Sequence, residues 1–225
     1  MKRIAAEKAV DLIEDNMIVG LGTGSTVKYA LKKIGTRISK GLKIKGIPTS
    51  NETKKLAIKY NIPLTSLAEH HEIDLTIDGA DEIDSDLNLI KGGGGALTRE
   101  KIIAFHSKKL IIVADDSKVV KSLGIDFPLP VEVVKFGWET TKKTLETFEC
   151  TCTLRKIFED PFITDNGNYI IDCEFDRIPD PEDLEQKLNM IPGVVENGLF
   201  IGLAHKAIVG GTQGIMTLEK EQLVT

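Results

Sequence analysis

The chain has 225 residues, of which 41% are hydrophobic and 28% are charged. This length can bury a sizeable core in one or two domains, and the composition is ordinary for a soluble globular protein. The net charge of −5 argues against general attraction to nucleic acid or a membrane, so an anionic ligand would need a local positive charge. An amphipathic pattern follows Met1 and no stretch reaches transmembrane length, so we expect a cytoplasmic protein without a signal segment.

Residues 1–127 alternate predicted helices with short apolar strands. The helices are predicted at 2–15, 27–38, 50–60 and 96–107, and the strands at 17–21, 42–47, 64–67, 73–77 and 109–114. Thr49 and Glu52 have capping-box spacing at the start of the third helix. The strand at 109–114 is almost continuously apolar, as in a parallel sheet covered on both faces. This pattern predicts a doubly wound, Rossmann-like α/β domain.

The pattern changes near Pro128 and Pro130. Beyond them, strands are predicted at 131–136, 151–158, 162–164, 168–175 and 194–201, and helices at 138–149 and 180–190; Asp165-Asn166-Gly167 is a hairpin-turn signal. The order β-α-β-β-α-β predicts a smaller ferredoxin-like α+β lid domain over 128–203. Residues 206–209 and 215–218 flank a glycine-rich turn, so we expect 204–225 to rejoin 1–127 as a terminal hairpin.

The most informative stretch runs from Asp78 to Glu100. Asp78, Asp81 and Glu82 follow a predicted strand, and Lys91 precedes four glycines (Gly92 to Gly95) at the start of a helix. Strand carboxyl ends and helix N-termini are where open α/β sheets bind ligands. Consecutive glycines cost conformational entropy and supply no packing, so close approach of a polar ligand is the leading explanation for the run.

Each charged group in this stretch also has a structural interpretation. The acidic cluster could hold a metal, orient sugar hydroxyls or transfer protons, or it could simply favour a helix N-terminus. Lys91 and the glycine amides could stabilise an oxyanion, although a lysine on a flexible loop would have the same sequence. Glu100 could be a general base near the pocket or an exposed helical glutamate.

A second candidate loop is Gly22-Thr23-Gly24-Ser25-Thr26, which precedes the helix predicted at 27–38. Its hydroxyls and amides suit a phosphate, but it lacks the spacing of dinucleotide-binding loops and the lysine of P-loops. Alternatively, Ser25 or Thr26 is only a helix cap. Lys118 follows another predicted strand at the same rim, where a cation could meet the phosphate.

The cysteines and histidines indicate no metal site. Cys150, Cys152 and Cys173 lack a histidine or a second CxxC at zinc spacing, so we interpret them as buried or half-buried thiols in strands. The four histidines have no ligand spacing and are interpreted as structural or exposed.

Seven segments, taken in order, resemble type A ribose-5-phosphate isomerase. They are GLGTGST (20–26), DGADEID (78–84), KGGGGALTREKI (91–102), ADDSK (114–118), FPLPVEV (127–133), TDNGN (164–168) and IPGVVENGLF (191–200). The resemblance covers nearly the whole chain without a large insertion. Gly95, where some members carry alanine, and the second aspartate of ADDSK are small departures, and neither is a proposed catalytic group.

The resemblance implies an α/β domain with a ferredoxin-like lid that interconverts D-ribose 5-phosphate and D-ribulose 5-phosphate in the non-oxidative pentose phosphate pathway. It implies no metal and no organic cofactor, and a homodimer or homotetramer. The implied substrate contacts are Thr23, Gly24, Ser25, Thr26, Asp78, Gly79, Ala80, Asp81, Lys91, Gly92, Gly93, Gly94 and Lys118. The implied catalytic residues are Glu100, Asp78, Asp81 and Lys91.

The resulting mechanism is an expectation about proton transfer. Glu100 would move a proton between C2 and C1 through an enediol(ate), and Lys91 with the glycine amides would stabilise the enediolate oxygen. Asp78 and Asp81 would open the sugar ring and move the hydroxyl proton. The sequence leaves open which aspartate does which, which side chains hold the phosphate, and the selectivity among phosphosugars.

Three other classes share parts of this pattern. A sugar-phosphate sensor could use the same loops, but such regulators usually add a DNA-binding helical module. A coenzyme A transferase of similar architecture would use a nucleophilic glutamate and form a trappable thioester. A deaminase of amino-sugar phosphates would release ammonia.

Overall fold

The computed structural model describes residues 1–219 of the protein and contains two principal β-sheets. The helices are α1 (Lys2–Val10), α2 (Val27–Ile38), α3 (Asn51–Lys59), α4 (Leu97–Phe105), α5 (Trp138–Leu145) and α6 (Pro181–Asn189). The strands are β1 (Ile18–Leu21), β2 (Lys45–Pro48), β3 (Leu75–Asp78), β4 (Glu82–Ile83), β5 (Leu89–Ile90), β6 (Leu110–Asp115), β7 (Leu129–Val133), β8 (Thr151–Leu154), β9 (Lys156–Ile157), β10 (Asp160–Pro161), β11 (Tyr169–Glu174), β12 (Val194–Asn197), β13 (Leu199–Phe200), β14 (Lys206–Gly211) and β15 (Gly214–Glu219). None of the helices within 1–219 has the length and apolar character needed to cross a membrane.

The larger sheet has six strands in the order β15-β14-β6-β3-β1-β2. All neighbours pair in parallel except β14 and β15, which form the predicted terminal hairpin. Ile111 and Val113 face a core built with α1, α2 and α3, whereas Ile112 and Ala114 face a core that includes Ala104 of α4. The predicted parallel sheet with two covered faces is therefore confirmed. The last six residues of the segment predicted at 204–225 lie outside the described residues.

The smaller sheet belongs to residues 128–203, which we call the lid. Its four strands lie in the order β12-β7-β11-β8 and are all antiparallel to their neighbours. Helices α5 and α6 supply Leu145, Leu184 and Leu188 to its core, where Val131 and Ile171 are fully buried. A three-stranded sheet of β13, β5 and β4, which the sequence did not predict, lies outside the two principal sheets.

Several predicted element boundaries are wrong. The helix predicted at 2–15 ends at Val10, because tight turns follow it and Asn16 has a φ of 68°. The strand predicted at 194–201 is two strands, because Gly198 donates its amide to Pro130 of β7 and accepts the amide of Lys91, which follows β5. A Cβ on Gly198 would lie 2.4 Å from the Lys91 carbonyl oxygen, so this crossing requires glycine.

Four other predicted strands have different bounds in the structure or do not form a strand. The strand predicted at 42–47 runs from Lys45 to Pro48, the one predicted at 131–136 runs from Leu129 to Val133, and 64–67 makes only a bridge from Leu64 to Gly46. Residues 162–164 are not a strand, although the predicted turn after them is present.

The predicted capping box is wrong by one residue. Ser50, and not Thr49, accepts the amide of Thr53 at the start of α3. Thr49 instead donates its hydroxyl to the Leu21 carbonyl and so ties α3 to the end of β1.

The lid is held to α4 by a buried carboxylate and by ion pairs. Glu132 is fully buried and accepts hydrogen bonds from Thr98 of α4 and from three side chains of the turn before β11 (Thr164, Asn166 and Asn168). Lys101 of α4 pairs with Glu185 and Glu196 at 3.0 and 2.7 Å. These contacts fix α4 against the lid, and α4 carries Glu100.

Replacing Glu132 tests this connection. Glu132→Ala leaves four side-chain donors without their acceptor, of which Thr164 is buried, and we expect the free energy of unfolding to fall by about 2–5 kcal/mol. The measurement is urea unfolding, with the exposed Glu174→Ala as the matched control, which should change stability by less than about 0.5 kcal/mol. Equal stability of the two variants would contradict the role of Glu132.

Candidate active site

The predicted site residues meet at one edge of the larger sheet, beyond the carboxyl ends of β1, β3 and β6 and beside the start of α4. All but one of them line a single cavity: Thr23, Gly24, Ser25, Thr26, Gly79, Ala80, Asp81, Lys91, Gly92, Gly93, Gly94, Glu100 and Lys118. Asp78 is the exception and is absent from that lining. It ends β3 with its side chain 1% exposed. The predicted site residues lie close together because the parallel sheet brings the carboxyl ends of its strands to the same edge.

The central feature of the site is a buried ammonium group between two carboxylates. Lys91 Nζ lies 3.2 Å from Asp78 Oδ2 and 3.1 Å from Glu100 Oε1, and it also donates to the Gly79 carbonyl at 2.6 Å. The side chains of Lys91 and Glu100 are only 3% and 5% exposed. The Phe200 ring packs against the same ammonium, with its centroid 5.3 Å away. Lys91 is therefore not the flexible loop lysine of the structural interpretation.

This environment raises the pKa of both Lys91 and Glu100. Burial would lower the pKa of Lys91, but the carboxylates of Asp78, Glu100 and Asp81 outweigh it and raise that pKa above its ordinary value. Burial, reinforced by the negative charge of Asp78, raises the pKa of Glu100 to about 8, while Lys91 opposes the shift. A carboxylate with a pKa near neutrality can both take and return a proton, as a general base requires.

The two aspartates occupy different positions. Asp78 Oδ1 accepts the amides of Thr23 and Gly79, and Oδ2 faces Lys91 but accepts no hydrogen bond from the described residues. Asp81 lines the cavity and accepts the Gly93 amide at 2.8 Å. Asp78 is therefore placed to orient Lys91 through their ion pair, while Asp81 can contact a ligand in the cavity directly.

The presence of glycine has a different cause at each position from Gly92 to Gly95. Gly92 and Gly95 have φ angles of 108° and 76°, and a Cβ on Gly93 would lie 2.8 Å from Asp81. An alanine at position 95 would bring its Cβ to 2.3 Å from Phe162, so that ring would have to move. Gly94 is not required by packing, since a Cβ there would meet only Thr23, at 3.6 Å. The backbone at Gly94 lines the cavity and is open to a ligand.

The far end of the cavity carries positive charge and hydroxyls. Ser25 accepts a hydrogen bond from Lys2, which also lies 3.6 Å from Asp115, and Lys118 lies across the same cavity. Thr26 occupies the N-cap position of α2, as the structural interpretation allowed, but its side chain makes no capping hydrogen bond. This end suits a phosphate, because two ammonium groups and the hydroxyls of Ser25 and Thr26 lie beside a helix N-terminus.

Thr23 and Glu82 have contacts that differ from those expected from the sequence. The Thr23 hydroxyl belongs to a cluster with Thr49, Ser50 and Thr53, all within 3.1 Å, so only its backbone and methyl group remain for the cavity. Glu82 is 1% exposed and accepts three amides from the loop at residues 124–127, so it does not belong to the acidic cluster that faces the site.

Lys2 and Arg155 were missed by the sequence analysis. Lys2 reaches the cavity because α1 packs against β6 and β14. Arg155 of the lid donates to the Gly92 and Gly93 carbonyls at 2.7 and 3.2 Å, and its guanidinium pairs with Asp172. Both contacts join parts of the chain that are distant in sequence, and no local motif signals them.

Together, the paired carboxylates, the buried lysine and the basic rim define an acid–base enzyme site for a small anionic ligand. The family model of ribose 5-phosphate isomerase A (phosphoriboisomerase A) matches residues 45–214. The curated ribose-5-phosphate isomerase A of Bacillus mycoides (strain KBAB4) is 54% identical over 216 residues, which cover 96% of this chain and 97% of that protein.

Solved structures agree with this similarity. Ribose 5-phosphate isomerase from Plasmodium falciparum has a TM-score of 0.95 at 44% identity, with 98% of each chain covered. A D-ribose-5-phosphate isomerase in complex with phospho-erythronic acid has a TM-score of 0.94 at 46% identity, with 97% of each chain covered. The chain belongs to the ribose 5-phosphate isomerase A family.

Arg155 offers a test of how the glycine run is held. Arg155→Ala removes the donors to Gly92 and Gly93, and we expect kcat to fall about 10-fold, the equivalent of one hydrogen bond. KM should stay within a few-fold, because the basic rim is untouched, and Arg155→Lys should restore part of kcat. Steady-state kinetics make the measurement, with the exposed Arg177→Ala as control. An unchanged kcat in Arg155→Ala would contradict a positioning role.

Proposed function

We propose that the chain interconverts D-ribose 5-phosphate and D-ribulose 5-phosphate, as the names of its relatives indicate for those proteins. The observation that carries the proposal is the buried Lys91–Glu100 pair beside the glycine run, at the end of a cavity whose other end is basic. Family membership favours this reaction over a sensor, a coenzyme A transferase or a deaminase.

Glu100 is the proposed base for the carbon-bound proton. With the sugar open, its carboxylate removes the proton from C2, and the C–H electron pair forms the C1–C2 double bond of an enediolate. The same carboxyl group returns the proton to C1, the proton of the C2 hydroxyl passes to the oxygen on C1, and a carbonyl is left at C2. The raised pKa of Glu100 supports both halves, because a group whose pKa lies near the operating pH can act as base and then as acid.

Lys91 and free backbone amides are proposed to stabilise the enediolate oxygen. The Gly93 amide donates to Asp81 and the Gly95 amide donates to the Gly92 carbonyl, so these two are committed. Among the described contacts, the amides of Gly92 and Gly94 remain for an oxyanion. The proposed donors to the enediolate oxygen are therefore the amides of Gly92 and Gly94 and the Lys91 ammonium, and not the whole glycine run.

Ring opening is proposed for Asp81, and a positioning role for Asp78. Asp81 reaches the cavity, whereas both Asp78 oxygens face protein groups. The phosphate is proposed to lie at the rim formed by Ser25, Thr26, Lys118 and Lys2. Phospho-erythronic acid, bound in the structure of a relative, carries a phosphate and a carboxylate, so it places negative charge both at a phosphate and where an enediolate oxygen would develop it.

The finer organisation is part of the same proposal. We describe the fold as a doubly wound, Rossmann-like domain of residues 1–127 plus 204–225 with a ferredoxin-like lid at 128–203; the order β12-β7-β11-β8 supports the lid assignment. A homodimer or homotetramer is supported by Phe136 and Phe158 of the lid, which are 95% and 94% exposed. Free cysteines fit a cytoplasmic protein, and the acidic charge fits one without nucleic-acid or membrane partners.

The direct test is incubation of purified protein with D-ribose 5-phosphate in the presence of EDTA. The protein is expected to form D-ribulose 5-phosphate under these conditions, because the proposed chemistry uses only its own side chains and amides. Absence of product with or without added divalent metal would contradict the proposed function.

Glu100→Gln tests the base. The amide is nearly isosteric but cannot accept the C2 proton, so we expect kcat to fall about 10²- to 10⁴-fold with little change in KM. Exchange of the substrate C2 proton with deuterated solvent should fall in parallel. Glu139→Gln, an exposed glutamate of α5, is the matched control. Isomerisation within a few-fold of wild type would contradict the assignment of Glu100.

Lys118→Ala tests the basic rim. Loss of one charge-assisted contact to phosphate should raise KM about 10- to 100-fold, while kcat stays within a few-fold. The control is Lys121→Ala, an exposed lysine three residues away. A normal KM combined with a collapsed kcat would show that Lys118 serves the chemistry and not binding.

A further inference from the structure

The lid contains three cysteines whose sulfurs meet. Cys152 of β8 and Cys173 of β11 are direct partners across antiparallel strands, with their sulfurs 3.4 Å apart. Cys150 lies two residues before Cys152 and therefore on the same face of the strand, with a sulfur–sulfur distance of 3.6 Å. All three sulfurs lie within 4.8 Å of one another. Strand pairing creates this cluster, so the sequence spacing does not reveal it.

We propose that Cys150, Cys152 and Cys173 bind a thiophilic divalent d10 metal ion of the Zn²⁺ class, at a site separate from the active site. Zinc–thiolate bonds are about 2.3 Å long, so three sulfurs around one tetrahedral ion lie roughly 3.8 Å apart. Two of the sulfur–sulfur distances, 3.4 and 3.6 Å, are close to that value and the third is at most 4.8 Å, so only small side-chain rotations are needed to admit the ion. None of the three cysteines lines the active-site cavity.

The surroundings suit a thiolate site. Cys152 and Cys173 are 4% and 1% exposed within the lid core, while Cys150 is half-buried and gives the ion a way in.

Metal binding by the three cysteines requires no oxidant and no reductant. The three thiols release their protons to solvent as the ion binds, and a water molecule can complete a four-coordinate site from the side of Cys150. A disulfide between Cys152 and Cys173 would instead require an oxidant, would shorten their separation to about 2.05 Å, and would leave Cys150 unused. Ordinary core packing would be equally served by valine or alanine and does not call for three thiols in contact.

The expected consequence is a more stable lid. An ion would link β8 to β11 near one end of β8, and Arg155, directly after the other end, holds the glycine run of the active site. Because the ion binds the folded lid only, it should raise the melting temperature without taking part in the isomerase chemistry.

The test is titration of untagged, reduced and chelator-treated protein with Cd²⁺, followed by the ultraviolet cadmium–thiolate charge-transfer band. We expect the band to saturate at a single Cd²⁺ per chain, Zn²⁺ to displace the probe, and the melting temperature to rise with either ion. Cys150→Ser changes a half-buried residue that folding should tolerate, and it should weaken Cd²⁺ binding more than the roughly 100-fold that loss of an outer partner of a metal ligand costs. Its isomerase activity should match wild type.

Three results would overturn the proposal. One is absence of the charge-transfer band in wild type. Another is a band and an affinity that are unchanged in Cys150→Ser. The third is a metal-free purified protein that shows a single free thiol before reduction, which would mean that two of the cysteines form a disulfide.

Discussion

The buried ammonium of Lys91 is the constraint on which the site depends. Two carboxylates, Asp78 and Glu100, lie within 3.2 Å of it in a region almost closed to solvent. Each buried charge would be costly alone, and removing one partner of such a set typically costs about 3–5 kcal/mol because the others remain buried. The chain therefore fixes the lysine from several directions: the Gly79 carbonyl accepts from it and the Phe200 ring packs on it.

That constraint explains why the lid contributes to the site although none of its residues lines the cavity. Phe200 belongs to β13, which the crossing at Gly198 connects to the last strand of the lid sheet. Glu132 fixes the lid to α4, which carries Glu100, and Arg155 fixes the lid to the glycine run. The base, the lysine and the free amides are thus held in one geometry by long-range contacts, as electrostatic preorganisation requires.

The sequence predicted what is local. The turn at Gly22 to Thr26, the glycine run and Glu100 each sit where a strand ends or a helix begins, so their motifs suffice to place them on one sheet edge. It could not place Lys2 or Arg155, because their contacts depend on how α1 and the lid pack. It misjudged the Thr23 hydroxyl, which a neighbouring helix satisfies. The thiol cluster also stayed hidden, since it depends on the register of β8 against β11.

The pH dependence of kcat/KM tests the central claim most directly, because it reports ionisation of the free enzyme. Glu100 must be unprotonated to accept the C2 proton, and its pKa is raised to about 8. We therefore expect kcat/KM to rise with pH along a limb with an apparent pKa near that value, distinct from substrate phosphate ionisation at about 6. A kcat/KM that is flat from about pH 6 to pH 9 would contradict a buried, lysine-paired glutamate as the base.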